Sequence, residues 1–168
     1  MNFVMIEDNF LKVAECNTLI KKYKDKTNKQ TLNEHVSYCD YTITDEKDLY
    51  NKSKKLINKY IKKYPSLNKS LTWGMRRFNF KHFPPGYSFD KWHCEHDLKY
   101  PHRILCCQVY LTNHNCGTEF YDPNETVMSK AGRAVVFPAF WTHIHRGQVC
   151  PDNKDRYLLA NYGFILND

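Results

Sequence analysis

The chain has 168 residues, of which 15% are aromatic, and carries a formal net charge of +7. That length fits one domain burying roughly two-thirds of its unfolded surface, and the aromatic content excludes a disordered chain. No apolar run approaches a membrane span, and the opening MNFVMIEDNFLKV lacks the basic and apolar regions of a signal peptide, so neither a membrane segment nor secretion is expected.

Residues 1–72 hold 14 Lys, 9 acidic residues and no Arg, a net of +5. The stretch 7–24, EDNFLKVAECNTLIKKYK, sets Phe10, Leu11, Ala14, Leu19, Ile20 and Tyr23 on one helical stripe. The stretch 45–64, DEKDLYNKSKKLINKYIKKY, repeats the pattern with Leu49, Leu56, Ile57, Tyr60 and Ile61. Acidic residues open it and lysines close it, as the helix dipole favours. Both predict amphipathic packing helices without catalytic content. Their lysines read as a solvated face rather than a nucleic-acid surface.

The texture changes at residue 73. All six arginines lie beyond it, and arginine suits fixed, two-point anion recognition. MRRFNFKHF alternates, RILCCQVYLT reads as a buried strand, GRAVVFPAF follows a glycine turn, and RYLLANYGFIL closes the chain. The turns PPG, NHNCG, DPN and PDN separate these short strands, which predicts a β-sandwich or barrel. With no long linker, residues 1–168 form one expected domain: 1–72 a mainly helical support layer, 73–168 the β core. The seven cysteines are odd in number and contain no CxxC pair, so they read as reduced thiols in a cytosol-like, cytoplasmic setting.

Chemistry enters at WHCEHD. His93 and Glu95 stand at i and i+2, so an extended strand projects both side chains from one face, where an imidazole and a carboxylate can share a metal. About fifty residues on, VVFPAFWTHIHRGQV offers His143 and His145 as a third ligand. Two histidines and one carboxylate form the facial set of non-haem Fe(II) oxygenases, although a zinc hydrolase could use the same ligands. Arg156 separates the two. It opens a strand eleven residues after His145, and a buried arginine near a metal needs an anionic partner. A dicarboxylate co-substrate would chelate the metal at one end and meet the guanidinium at the other.

From about Met75 to Phe164 the chain resembles the 2-oxoglutarate/iron(II)-dependent dioxygenases, in their prolyl 4-hydroxylase-like branch and its small viral forms. The resemblance rests on an ordered set: FPPGYSFDKWHCE, QVYLTN, CGTEF, GRAVVFPAFWTHIHRG and DRYLLANYGF. It implies an α+β, mainly β fold: a double-stranded β-helix (a cupin-like jelly roll) of two antiparallel sheets with N-terminal supporting helices. It implies that His93, Glu95 and His145 hold Fe(II), with His143 a neighbour on the same strand face. It also implies that Arg156, assisted by Tyr110, binds 2-oxoglutarate, Tyr162 standing six positions after Arg156 as the family's aromatic does. The expected activity is hydroxylation, turning 2-oxoglutarate and O2 into succinate and CO2, with ascorbate as an auxiliary reductant and a prolyl residue of a peptide or protein as substrate. Free amino acids, other peptide side chains and nucleobases stay open, as does a non-enzymatic jelly-roll binding module. Tyr87, Trp92, Trp141 and Arg146 flank the ligands and could line a peptide groove. The sequence departs from the branch at Glu95, where cellular members carry Asp and small viral members also show Glu, at Thr112 in place of Asn, and at Cys116 in place of a glycine.

Overall fold

The computed structural model describes residues 2–33, 36–69, 72–75 and 77–165. Arg76 and Leu166, which the strand reading includes, lie outside the described residues. Two helices, α1 (Val13–Tyr23) and α2 (Lys47–Lys63), accompany twelve strands among the described residues. These are β1 (Met5–Glu7), β2 (Asn28–Asn33), β3 (Val36–Ile43), β4 (Trp73–Met75), β5 (Phe78–Phe83) and β6 (Phe89–His93), then β7 (Arg103–Tyr110), β8 (Gly117–Phe120), β9 (Glu125–Met128), β10 (Ala134–Pro138), β11 (His145–Gly147) and β12 (Arg156–Ile165).

The pairings are antiparallel and follow the order β1-β10-β7-β12-β5-β3-β6-β11-β8-β9, with β2 beside β3 and β4 beside β12. The order falls into a larger leaf, β1 to β3, and a smaller leaf, β6 to β9. They join where Val36 pairs with Phe89. The sheet curls at that seam into the expected jelly roll. Residues 1–72 also supply β1, β2 and β3, strands that the sequence reading did not single out.

Side-chain alternation sorts the core into two layers. Leu105, Cys107 and Val109 on β7, with Tyr157 and Leu159 on β12, face the helices. There they meet Leu19 and Tyr23 of α1 and Leu49, Leu56, Ile57 and Tyr60 of α2, as the helical spacing predicts, and Cys16, which the predicted stripe does not include. Ala14, expected on that stripe, is exposed. The alternate residues Cys106, Tyr110, Leu158, Ala160 and Tyr162 face the space between the leaves, with Phe83, Phe120 and Phe137. A strand buried on both faces reads as a continuous apolar run, which accounts for RILCCQVYL. Each fully buried side chain of this kind contributes about 1.5–3 kcal/mol.

Helix α1 starts later than its apolar stripe. Asn9 adopts a left-handed backbone (φ 61°), which breaks the helix before Lys12. The Lys12 amide donates to the Glu15 carboxylate at 2.9 Å, and Leu11 instead packs at the Gly132 turn, its N–H donating to Gly132 O at 3.2 Å. Among the described residues no helix is long and apolar enough to cross a membrane.

Candidate metal centre

The smaller leaf brings the ligands together through strand register. His93 ends β6, His145 begins β11, and their Cα positions are paired across the two strands. Glu95 lies just past the end of β6. Its amide and that of His96 both donate to Ala139 O, at 3.0 and 2.9 Å, which pins the turn. The Glu95 Oε1 atom stands 3.7 Å from His93 Nε2 and 3.9 Å from His145 Nε2. All three ligand atoms fall within 4.8 Å of one another. Metal–ligand bonds of about 2.0–2.2 Å place neighbouring ligand atoms about 3.0–3.4 Å apart, so small side-chain adjustments would close this set on an ion.

The hydrogen-bonding pattern fixes which nitrogens are available. His93 Nδ1 lies 2.7 Å from Lys91 O, and His145 Nδ1 lies 2.9 Å from His143 O. A carbonyl only accepts, so each Nδ1 carries a proton, and in the neutral imidazole that leaves Nε2 as the atom that can ligate a metal. His145 is 1% exposed, and its Nε2 has no hydrogen-bond partner. A buried, unpaired nitrogen is costly unless something occupies its lone pair. Burial, reinforced by the His93 charge, pushes the His145 imidazole down to about 4, so it is a neutral donor near pH 7. Burial alone would raise the Glu95 carboxyl, but the nearby His93 imidazole and the Lys81, His93 and His145 charges hold it at about 2. The donor set and the unpaired Nε2 both fit a divalent ion.

Arg156 is 2% exposed and opens β12 on the interior parity, as the spacing to Tyr162 predicts. Its guanidinium lies over the Phe83 ring at 4.5 Å and its Nη1 donates to Cys116 Sγ at 3.3 Å. Its Nε has no partner, and no carboxylate forms an ion pair with it among the described residues. The same cleft is lined by His93, Glu95, His145, Arg156, Lys81, Phe83, Gln108, Thr118 and Leu158. It is narrow, about 30 Å³. A larger cavity, about 690 Å³, lies under α2 against Tyr60, Tyr64 and Phe140 and touches none of the three ligands.

Tyr110 is buried behind this cleft. Its hydroxyl lies 2.7 Å from Thr118 Oγ1 and 3.1 Å from Val127 O, and the Thr118 hydroxyl donates to Gln108 Oε1 at 2.8 Å. Thr118 and Gln108, not Tyr110, form the wall. Gln108 shares its strand face with Tyr110, and Thr118 shares the β8 face of Phe120, so parity could have found both.

Two expectations are corrected. His143 does not share a strand face with His145: it ends a short 3-10 turn (Trp141–His143), and its Nε2 reaches Asn2 O at 2.9 Å. Only its carbonyl serves the site. The cysteines are not all free, because Cys116 pairs with Cys150 as a disulfide, with Cα atoms 5.2 Å apart. The curled sheet brings together two residues 34 apart in sequence, and no local motif signals that.

Sequence reasoning also missed Arg103. It donates from Nη1 to Glu95 Oε2 at 2.7 Å. Strict alternation would turn Arg103 toward the helices with Leu105. The β7–β12 register instead skips Ile104, pairing Leu105 with Gly163 and Arg103 with Phe164. That bulge reverses the parity and aims Arg103 inward.

No family model and no curated protein matches the sequence. Solved structures do. The chain is similar to a viral collagen prolyl hydroxylase from Paramecium bursaria Chlorella virus-1 in its 2OG complex, with a TM-score of 0.75 and 16% identity over 98% of this chain and 97% of that one. It is similar to a Pseudomonas putida prolyl-4-hydroxylase, with a TM-score of 0.74 and 16% identity over 98% and 93%. It is also similar to a Trichoplax adhaerens prolyl hydroxylase solved with a hypoxia-inducible-factor peptide fragment, with a TM-score of 0.77 and 14% identity over 98% and 84%. At these identities the likeness establishes the fold, which is that of the prolyl hydroxylase structures.

Proposed function

We propose that this protein is an Fe(II)- and 2-oxoglutarate-dependent dioxygenase that hydroxylates a prolyl residue in a peptide. One observation carries the reading. A three-ligand cluster with an unpaired, buried His145 Nε2 shares a cleft with a buried arginine that has no carboxylate of its own. A zinc hydrolase has a use for the first feature and none for the second.

In this reading His93, Glu95 and His145 would hold the metal as two imidazoles and one carboxylate. The bound metal supplies the oxidising chemistry that turns 2-oxoglutarate and O2 into succinate and CO2 as a hydroxyl enters the substrate. The chain does the rest. Lys91 O and His143 O hold the two imidazoles in the ligating tautomer. Arg156 receives the distal carboxylate of 2-oxoglutarate in a two-point bond and so sets which end of the molecule reaches the ligands. Thr118, whose hydroxyl accepts from Tyr110 and donates to Gln108, forms with Gln108 the polar part of the same wall. Phe83 and Leu158 keep that wall apolar, which strengthens the ion pair. The cleft holds about one water's volume, so the half-buried Lys81 and Phe89 at its rim must part to admit the co-substrate.

A peptide is the substrate class that the solved neighbours favour. Trp92 and Tyr121 meet edge to face at 5.3 Å, and the Arg146 guanidinium lies 4.5 Å over Trp92 while pairing with Asp90 and Glu119. Trp141 is 76% exposed. Trp92, Tyr121 and Arg146 alternate with His93, Phe120 and His145, so they stand on the other face of the smaller leaf and not in the cleft. The peptide reading rests on the solved neighbours, which include one named a collagen prolyl hydroxylase and one solved with a hypoxia-inducible-factor peptide fragment. The test is to incubate the protein with Fe(II), 2-oxoglutarate, ascorbate and a panel of proline-containing peptides, each paired with its Pro→Ala control. The reading predicts succinate release and the gain of one oxygen atom on proline. Succinate release with oxygen gained only on other residues would move the substrate away from proline and keep the chemistry.

A further inference from the structure

We propose that Arg103 is a positioning residue that holds Glu95 as a one-oxygen metal ligand and matches this site to a glutamate. The inference rests on the metal-site reading above and concerns a residue outside the ligand set.

The carboxylate of Glu95 is divided between two tasks. Arg103 Nη1 donates to Oε2 at 2.7 Å, while Oε1 faces the two imidazole Nε2 atoms at 3.7 and 3.9 Å. Tyr162 adds a weaker donation to Oε1 at 3.4 Å. The guanidinium itself has little freedom. It lies between the rings of Tyr100 and Tyr162, at 3.7 and 3.8 Å from their centroids. The Arg103 backbone is tied as well: its N–H donates to Tyr100 O at 3.2 Å and its carbonyl meets His96 Nδ1 at 2.9 Å. The β7 bulge at Ile104 places the side chain on this face at all.

A glutamate has one more rotatable bond than an aspartate. Unrestrained, its carboxylate can turn both oxygens to a metal and consume a coordination position that the co-substrate needs. A guanidinium clamped between two rings and bonded to Oε2 blocks that rotation and leaves Oε1 as the ligand. The planar, stacked guanidinium is suited to this task, and a lysine ammonium is not.

The test uses Co(II) as a spectroscopic stand-in for Fe(II) on the full chain, comparing wild type with Arg103→Met and Arg103→Lys. Co(II) affinity and the visible ligand-field spectrum are read, with a metal-free melt as the folding control. Residues that orient metal ligands alter affinity by about 10–100-fold when replaced. Arg103→Met should therefore bind Co(II) about 10–100-fold more weakly, with a changed spectrum, while Arg103→Lys recovers part of the affinity without the wild-type spectrum. If Arg103→Met fails to fold, Arg103→Lys decides alone, and wild-type affinity and spectrum in that variant would overturn the proposal. Equal affinity and spectrum in a folded Arg103→Met would overturn it too, leaving the metal site intact. A wild type that binds no Co(II) or Fe(II) would overturn the metal-site reading and this proposal with it.

Discussion

Replacing Arg156 should separate function from stability in opposite directions. The guanidinium is 2% exposed, its Nε is unpaired, and its nearest polar partner is a sulfur at 3.3 Å. The protein alone therefore pays for a buried charge that it does not neutralise. A carboxylate seated there would accept two charge-assisted hydrogen bonds of about 1.5–3 kcal/mol each. Truncation leaves that carboxylate buried without a partner, so the loss is about 3–5 kcal/mol. At about 1.4 kcal/mol per tenfold, Arg156→Met should weaken 2-oxoglutarate binding about 100- to 4,000-fold. Without co-substrate the same variant should be more stable than wild type by about 1–3 kcal/mol, because methionine fills the site without a charge to desolvate. For a chain of this length that raises Tm by roughly 2–10 °C. Calorimetric titration of the Mn(II)-loaded protein with 2-oxoglutarate measures the first effect, and a melt of the metal-free protein the second. Affinity within about threefold of wild type would refute the assignment of Arg156 to the co-substrate.

Metal-free protein should lose stability as pH falls from about 6.5 toward 4. His145 is held at about 4 when folded against about 6.5 when unfolded, so the unfolded chain takes up the proton first. The loss between pH 7 and pH 5 is about 2 kcal/mol, and urea unfolding in chelator should show it in wild type and not in His145→Gln. His145→Ala should abolish measurable Co(II) binding while the metal-free protein stays folded; retained binding would move the third ligand elsewhere. At Gly132 (φ 82°) an added Cβ would sit 2.1 Å from Leu11 O, so Gly132→Ala should cost at least about 2 kcal/mol, read as a lower urea midpoint. Alkylation of native, non-reduced protein followed by peptide mapping should recover Cys116 linked to Cys150, and leave the buried Cys106 and Cys107, whose thiols burial pushes up, unlabelled until unfolding.

Much of the site was legible because strand parity is a local property. Arg156 and Tyr162 fall on one face of β12, and Gln108 and Tyr110 on one face of β7. Both sets point between the leaves. The helical stripes of α1 and α2 were legible for the same reason, their periodicity being written in adjacent residues. What escaped depends on events that periodicity does not record. The bulge at Ile104 reverses the direction of Arg103, so its contact with Glu95 is invisible to alternation. The sequence NKQTLNEHVSYCDYTI over β2 and β3 carries few apolar residues at period two, because β2 lies at the edge. The Cys116–Cys150 pairing and the bond from His143 to Asn2 both join distant segments through the curl of the sheet. His143 and His145 share a parity in sequence, yet the 3-10 turn between Trp141 and His143 separates their directions.

The central claim is that one cleft holds both Fe(II) and 2-oxoglutarate. Its most direct test is an anaerobic titration of Fe(II)-loaded protein with 2-oxoglutarate, watching for the visible charge-transfer absorption that arises when the co-substrate chelates the ion. The account predicts a band that saturates at one equivalent, disappears in His145→Ala and needs far more 2-oxoglutarate in Arg156→Met. A folded, Fe(II)-loaded wild type that develops no band and shows no affinity for 2-oxoglutarate would contradict it.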